Sequence, residues 1–341
     1  MRFRYALLLI LLIRCPPSGI TSAQETPVLR DRVEARFDVV GAFTKLPQQG
    51  RIVKFERGNL VAPDGGHLQG IQVRRDQKRD FAFLSHDSKT EAYFLIVEFP
   101  RHFVGKGRVL HLQRLPSDGE EPPLRHAGGI QLCGDVLVLG LEDNQAKLRS
   151  EIQFWNVRTP DRPIQMTHLT IRRRGAETDQ TAGAVGLAKR KDGHVLAVAN
   201  WDSRAMDFYI SNGKSLQDPQ CRFSFAARWD SSKADRRAWQ PNDNLGAYQA
   251  INLIADADGE LCLLGFNTTS QSKDFVDLFH VDLNQTSAQL TKLANKRMML
   301  TNGNHFLYGG GMFFLEDTLQ ILSSEGRLNK EACINIITGP E

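Results

Sequence analysis

Three carboxylates, two imidazoles and four aromatic rings are the residues of this 341-residue chain whose types and placement suit chemistry. Glu142, Asp143 and Asp202 stand at the ends of apolar runs. A hydrolase that moves protons needs two carboxyl groups in unlike surroundings, one of them keeping its proton. These three are therefore the candidate catalytic residues, although acids in such positions also form ordinary turns. His67 and His126 are candidate ligand contacts. So are Trp201, Trp229, Trp239 and Tyr248, whose ring faces could stack on a sugar or another flat ligand or simply pin the fold. The two histidines could hold a divalent metal such as calcium with Asp87 or Asp143, but they lack the close His-x-x-x-His spacing of a dedicated centre.

Other chemistries have no motif to carry them. No Gly-x-Ser-x-Gly elbow occurs, and no glycine-rich loop precedes a helix to cradle phosphate. Gly309-Gly-Gly311 fits a tightly packed strand, and Arg172-Arg-Arg174 reads as a solvated loop.

The elements that position these residues follow from a repeat. His126-Ala-Gly-Gly-Ile-Gln-Leu132 has relatives beginning at His67, Thr181, Ala247 and Tyr308, spaced 59, 55, 66 and 61 residues apart. A near-regular period of this size marks a repeat architecture. After each heptad the pattern reads strand, tight turn, strand, with Gly134-Asp135, Lys191-Asp-Gly193 and Asp256-Ala-Asp-Gly259 as turns. A third strand and a weaker fourth follow.

Four short strands per repeat describe a β-propeller blade. The expected fold is all-β, a propeller of five four-stranded blades starting near 67, 126, 181, 247 and 308. The last repeat has only three strands. A segment within 35–60, either 35–40 or 51–55, supplies its fourth and leaves no open edge. Six blades is the alternative if both N-terminal strands form a separate blade. The longest interblade loop is expected at 227–246, and Gln72 and Gln131 are expected to line a wet channel.

The ends bound the compartment. Arg2 and Arg4 precede an apolar run, and Thr21-Ser22-Ala23 offers a cleavage site, the layout of a secretory signal peptide at 1–23. Residues 24–341 then form a single domain, secreted or periplasmic, with no integral membrane segment. Removing the leader takes away three arginines and no acid, lowering the formal charge from +4 to about +1. Such a balance leaves no electrostatic footprint for nucleic acid. Cys133, Cys221, Cys262 and Cys333 sit inside apolar strand patterns and read as buried thiols.

In blade layout the chain resembles secreted five-bladed β-propellers over nearly all of its length after the leader. Five-bladed glycosidases carry an acidic residue at the start of the first inner strand; here those positions hold His67, His126, Thr181, Ala247 and Tyr308. The expected function is binding of a small molecule, glycan or protein on the face formed by first-strand starts and second-strand ends. The alternative is a secreted hydrolase of glycans or esters that uses the carboxylates on that same face.

Overall fold

The computed structural model describes residues 38–60, 65–117, 119–120, 123–175, 180–240, 244–256, 258–284, 287–315 and 318–340. The expected leader lies outside these residues. A short helix, α1 (Val39–Lys45), comes first and buries Val39 and Phe43. The expectation of a strand across 35–40 is corrected here, since the described part of that segment enters this helix. Strand β1 (Arg51–Glu56) follows.

The remaining strands fall into sets that begin within or just after each heptad. The first holds β2 (His67–Arg75), β3 (Arg79–Asp87), β4 (Tyr93–Pro100) and β5 (Gly107–Arg114). The second holds β6 (His126–Cys133), β7 (Val136–Glu142), β8 (Arg149–Asn156), the two-residue β9 (Ile164–Gln165) and β10 (Ile171–Arg174). The third is β11 (Ala184–Arg190), β12 (Gly193–Ala199), β13 (Ala205–Ser211) and β14 (Phe223–Asp230). The fourth is β15 (Ala250–Ala255), β16 (Leu261–Thr268), β17 (Asp274–Leu283) and β18 (Ala288–Met298). The last is β19 (Gly310–Leu315), β20 (Thr318–Ser324) and β21 (Glu331–Thr338).

Within every set neighbouring strands pair antiparallel in chain order, except that β9 and β10 both pair with β8. β1 completes the last set by pairing antiparallel with β21, from Arg51 opposite Ile336 to Glu56 opposite Glu331. It also touches β5 in parallel at Phe55 and Glu56, so the first and last sets share one eight-stranded sheet. This is a β-propeller.

The second strands carry continuous apolar runs because both of their faces are covered by neighbouring sets. In β7 every residue from Val136 to Glu142 is buried. First strands crowd the axis so closely that side chains are excluded at some positions. A Cβ on Gly128 would lie 2.1 Å from the Gly183 carbonyl oxygen, and one on Gly311 would lie 1.7 Å from that of Ile71.

Amide side chains stand at the axis, Gln72 and Gln131 among them. Both are buried, as is Asn252. Gln72 donates to Asn252 Oδ1 at 3.1 Å, and Gln131 donates to the Leu253 carbonyl at 2.7 Å while accepting from the Leu187 and Leu253 amides. Strands β2, β6, β11 and β15 are thereby tied to one another, satisfying polar groups that would be costly to bury alone.

Two loop expectations are also revised. Arg172, Arg173 and Arg174 lie in β10, where Arg173 is buried and ion-paired with Asp207. Ala227 and Trp229 belong to β14 rather than to an interblade loop. Among the described residues the four cysteines, Cys133, Cys221, Cys262 and Cys333, are buried and free of disulfides. No helix among the described residues is long and apolar enough to cross a membrane.

Candidate functional site

The first two sets carry the same pairing at one end of the propeller. In β2 and β3, His67 stands directly opposite Asp87; in β6 and β7, His126 stands directly opposite Glu142. Each is the first residue of an inner strand facing the last residue of its hairpin partner. Both registers then slip within the next few residues, between Leu68 and Ile71 and between Ala127 and Ile130. Such bulges re-aim side chains. In the second set the irregularity falls on Gly128 and Gly129, but in the first it includes Gln69, whose amide turns into the space between the two imidazoles.

Gln69 Nε2 lies 2.7 Å from His126 Nε2 and 2.8 Å from His67 Nε2. With the amide nitrogen donating, both rings accept at Nε2 and carry their proton on Nδ1, the atom facing each carboxylate. His126 Nδ1 meets Glu142 Oε1 at 2.8 Å, and the other oxygen of Glu142 accepts the Ala182 amide at 2.6 Å. His67 Nδ1 is 3.7 Å from Asp87 Oδ2, within ion-pairing reach but too long for a direct hydrogen bond. The Tyr308 ring packs on His67 at 4.2 Å between centroids, with His305 beyond it at 4.9 Å.

The two pairs differ in access. Glu142 is fully buried and His126 nearly so, whereas the side chains of His67 and Asp87 keep 26% and 16% of their surface. Their proton affinities differ accordingly. Burial, helped by the charges of His126 and His305, pushes the His67 pKa down to about 4. Burial also pushes His86, stacked on Tyr93 one residue before Asp87, down to about 3. Burial opposes charge on His126 too, but the hydrogen bond and charge of Glu142 outweigh it and raise its pKa. Burial raises the pKa of Asp87, and the charge of Glu142 adds to the rise.

These shifts predict acid sensitivity with a definite sign. An imidazole whose folded-state pKa is depressed stabilises the fold fully above its unfolded value near 6.5, and that contribution is lost as pH falls toward the folded value. For His67 the loss runs from about pH 6.5 to 4 and amounts to about 3 kcal/mol; His86 continues it toward pH 3. His126 acts in the opposite sense, contributing at low pH and fading as pH rises through its raised value. Urea midpoints should therefore drop from pH 7 to pH 4, and His67→Gln should shrink the drop. An equal drop in wild type and variant would show that His67 does not carry it.

The other expected site residues lie elsewhere. Asp143 is buried in a turn, its Oδ1 accepting the amides of Gln145 and Ala146 at 3.0 and 3.2 Å. Asp202 sits at φ 57° in a single turn of 3-10 helix, Trp201–Ser203, with its carboxylate 3.4 Å from Arg204. It opens on a separate shallow cavity of about 360 Å³ that includes Arg236 and Gly246. Glu142, Asp143 and Asp202 thus answer to three separate partners and do not assemble as an acid–base set.

Trp229 and Trp239 are core residues, each 3% exposed, and this corrects their reading as ligand contacts. Trp239 packs edge-on against Phe279 and donates from Nε1 to the Leu290 carbonyl at 3.0 Å. Tyr248 is likewise buried, its hydroxyl 2.5 Å from Asp277 Oδ2 in a network with Asn295 and Lys292. Trp201 stays partly exposed, with Lys147 Nζ 3.6 Å from its ring centre. Among the described residues no group of three or more His, Cys, Asp or Glu stands at metal-binding geometry.

Gln69 and His305 had no signal in the sequence reading. Gln69 shares the repeat position of Gly128, so a residue of different type at a repeated small position was the available clue.

No protein-family model and no curated protein matches the chain. Similar solved structures include the α-L-arabinofuranosidase PaAbf62A from Podospora anserina in complex with cellotriose, at 9% identity and TM-score 0.47 over 87% of this chain and 99% of that one. The catalytic domain of a Coprinopsis cinerea GH62 α-L-arabinofuranosidase is 12% identical, with TM-score 0.43 over 86% and 98%. A GH43 β-xylosidase/α-arabinofuranosidase from a compost microbial metagenome is 9% identical, with TM-score 0.49 over 82% and 94%. The likeness is one of fold.

Proposed function

We propose that the five strand sets are the blades of a complete propeller, and that the chain binds a glycan at the His67 end of its axis and hydrolyses it there. The supporting observation is the repeated imidazole–carboxylate pair, accessible in the first blade and buried in the second. Of the two carboxyl groups only Asp87 can reach a ligand, and burial holds its pKa up, as suits a group that must deliver a proton and recover it. His67 positions it through the 3.7 Å gap, and Gln69 fixes His67 by anchoring it to the buried pair. A partly exposed Tyr308 ring beside imidazole, amide and carboxyl groups suits a sugar, which presents an apolar ring face and a rim of hydroxyls.

A second reading is binding without turnover. It is favoured by the separate engagement of Glu142, Asp143 and Asp202, which leaves Asp87 as the accessible acid of the cluster. Incubating the purified chain with a glycan panel, with release of reducing ends and binding heat both measured, separates the two. Release together with binding supports hydrolysis. Binding heat without release supports the second reading, and neither signal on any glycan removes both.

A further inference from the structure

We propose that Lys147, held over the Trp201 ring, receives an anionic substituent of the ligand, so that the glycan taken at the His67 end carries a carboxylate or sulfate on a neighbouring unit. The inference rests on the proposed glycan reading and adds the charge of the substrate to it. Register places both residues at that end. Glu142, the last residue of β7, stands opposite His126, so the β7–β8 connection that holds Lys147 emerges there. Ala199, the last residue of β12, stands opposite Ala184 at the start of β11, so Trp201 emerges at the same end from the next strand set. Two consecutive residues tie the places together. Ala182 donates its amide to Glu142 Oε2 at 2.6 Å, and Thr181 accepts the Trp201 amide on its hydroxyl at 2.7 Å.

The ammonium is placed, and its charge is unspent. Lys147 Nζ lies 3.6 Å from the centre of the Trp201 ring, and both side chains keep part of their surface exposed. Both loops adopt costly backbone to meet in this way: φ is 59° at Lys147, 57° at Asp202 and 54° at Ser203, left-handed values that residues with side chains seldom take. Each is locked. The Lys147 amide donates to the Asp143 carbonyl at 3.1 Å, and Ser203 Oγ donates to the Tyr248 carbonyl at 2.9 Å. A lysine stem is flexible, so holding its head on a ring lowers the entropy lost when a ligand engages it. The indole face attracts the cation without neutralising it. The acids of the two loops are engaged elsewhere, Asp143 by the amides of Gln145 and Ala146 and Asp202 by Arg204 at 3.4 Å. Among the described residues Lys147 Nζ has the ring and no carboxylate partner. Asp202, next to Trp201, borders the cavity of about 360 Å³, so the pair stands beside open surface. An ammonium is a point charge that meets planar carboxylate and tetrahedral sulfate alike, which is why the shared chemistry is an anionic substituent.

The test is calorimetry of the full chain with oligosaccharides of galacturonate, of mannuronate and of glucuronate-bearing xylan, each beside its carboxyl-reduced neutral counterpart, and with a sulfated galactan oligosaccharide beside its desulfated form. The expected result is that an acidic member binds about tenfold or more tightly than its neutral counterpart, an advantage that shrinks as sodium chloride is raised. A response from the carboxylate pairs alone, or from the sulfate pair alone, supports the proposal and names the substituent. Lys147→Met should erase the advantage, so that charged and neutral forms bind alike, whereas Lys147→Arg should keep most of it. Lys78→Met, which removes one charge from the β2–β3 turn at the other end, should leave the advantage intact. Should Lys147→Met fold poorly, Lys147→Gln gives the same comparison. Equal binding of charged and neutral forms by the wild type, or an advantage that survives in Lys147→Met, overturns the proposal and leaves the glycan reading standing. Absence of binding to every member of the panel overturns both.

Discussion

An Asp87→Asn variant should bind glycan nearly as well as the wild type while its turnover falls by about a hundredfold or more. Asparagine keeps the size of the side chain and its hydrogen-bonding capacity, so the packing beside His67 is preserved. What it removes is the ability to give and recover a proton. A group that acts only in the transition state lowers kcat when it is lost, and KM changes little. The pH dependence should change as well. The limb of the wild-type profile that reports the raised Asp87 pKa should disappear from whatever activity remains. Steady-state kinetics on the best substrate of the glycan panel, with binding measured in parallel, decides the matter. Undiminished turnover in Asp87→Asn would remove this residue from the chemistry.

Glu142→Ala should cost the fold about 2–6 kcal/mol, because two buried donors lose their acceptor at about 1–3 kcal/mol each. Glu142 is fully buried and satisfies two groups at once, the Nδ1 of His126 and the amide of Ala182. Truncation leaves both without their acceptor, leaves a cavity, and takes away the charge that holds the His126 pKa up. Glu142→Gln should cost much less, since its carbonyl can still accept one of the two bonds. Replacing His126 and Glu142 together by leucine should cost less than Glu142→Ala, as buried pairs often tolerate joint apolar replacement. Equilibrium urea unfolding at pH 7 gives the comparison. A loss below about 1 kcal/mol in Glu142→Ala would mean that water replaces the carboxylate and that the second blade is open there.

How far these features could be read from the chain varied with the kind of signal. The heptads at His67 and His126 marked inner strands, and the strand-turn-strand pattern after them set the hairpins that bring His67 to Asp87 and His126 to Glu142. Periodicity carried that much, because strand length and turn residues are local properties. The direction of single side chains is not local. Trp229 and Trp239 looked like ligand platforms but are core residues, a result decided by how the third and fourth blades pack. Arg173 lay in what read as a loop. Its strand, β10, pairs with β8 beyond the brief β9, and its guanidinium meets Asp207 of the next strand set. Gln69 was invisible for a related reason: a bulge changes which way one residue points without changing composition.

Closure by β1 has a consequence for how the molecule is made. Of the described strands, the one that seals the ring is the first to leave the ribosome, and β21, its partner, is the last. Until Glu331–Thr338 has been synthesised, Val53 and Phe55 have no β21 ladder to join, although both are buried in the finished fold. The intervening blades can pair locally as they emerge, since their hairpins join neighbouring strands. The seal itself waits on β21. Nascent chains halted before residue 331 should thus expose an apolar early segment that chaperones would recognise, and closure cannot begin before β21 has emerged.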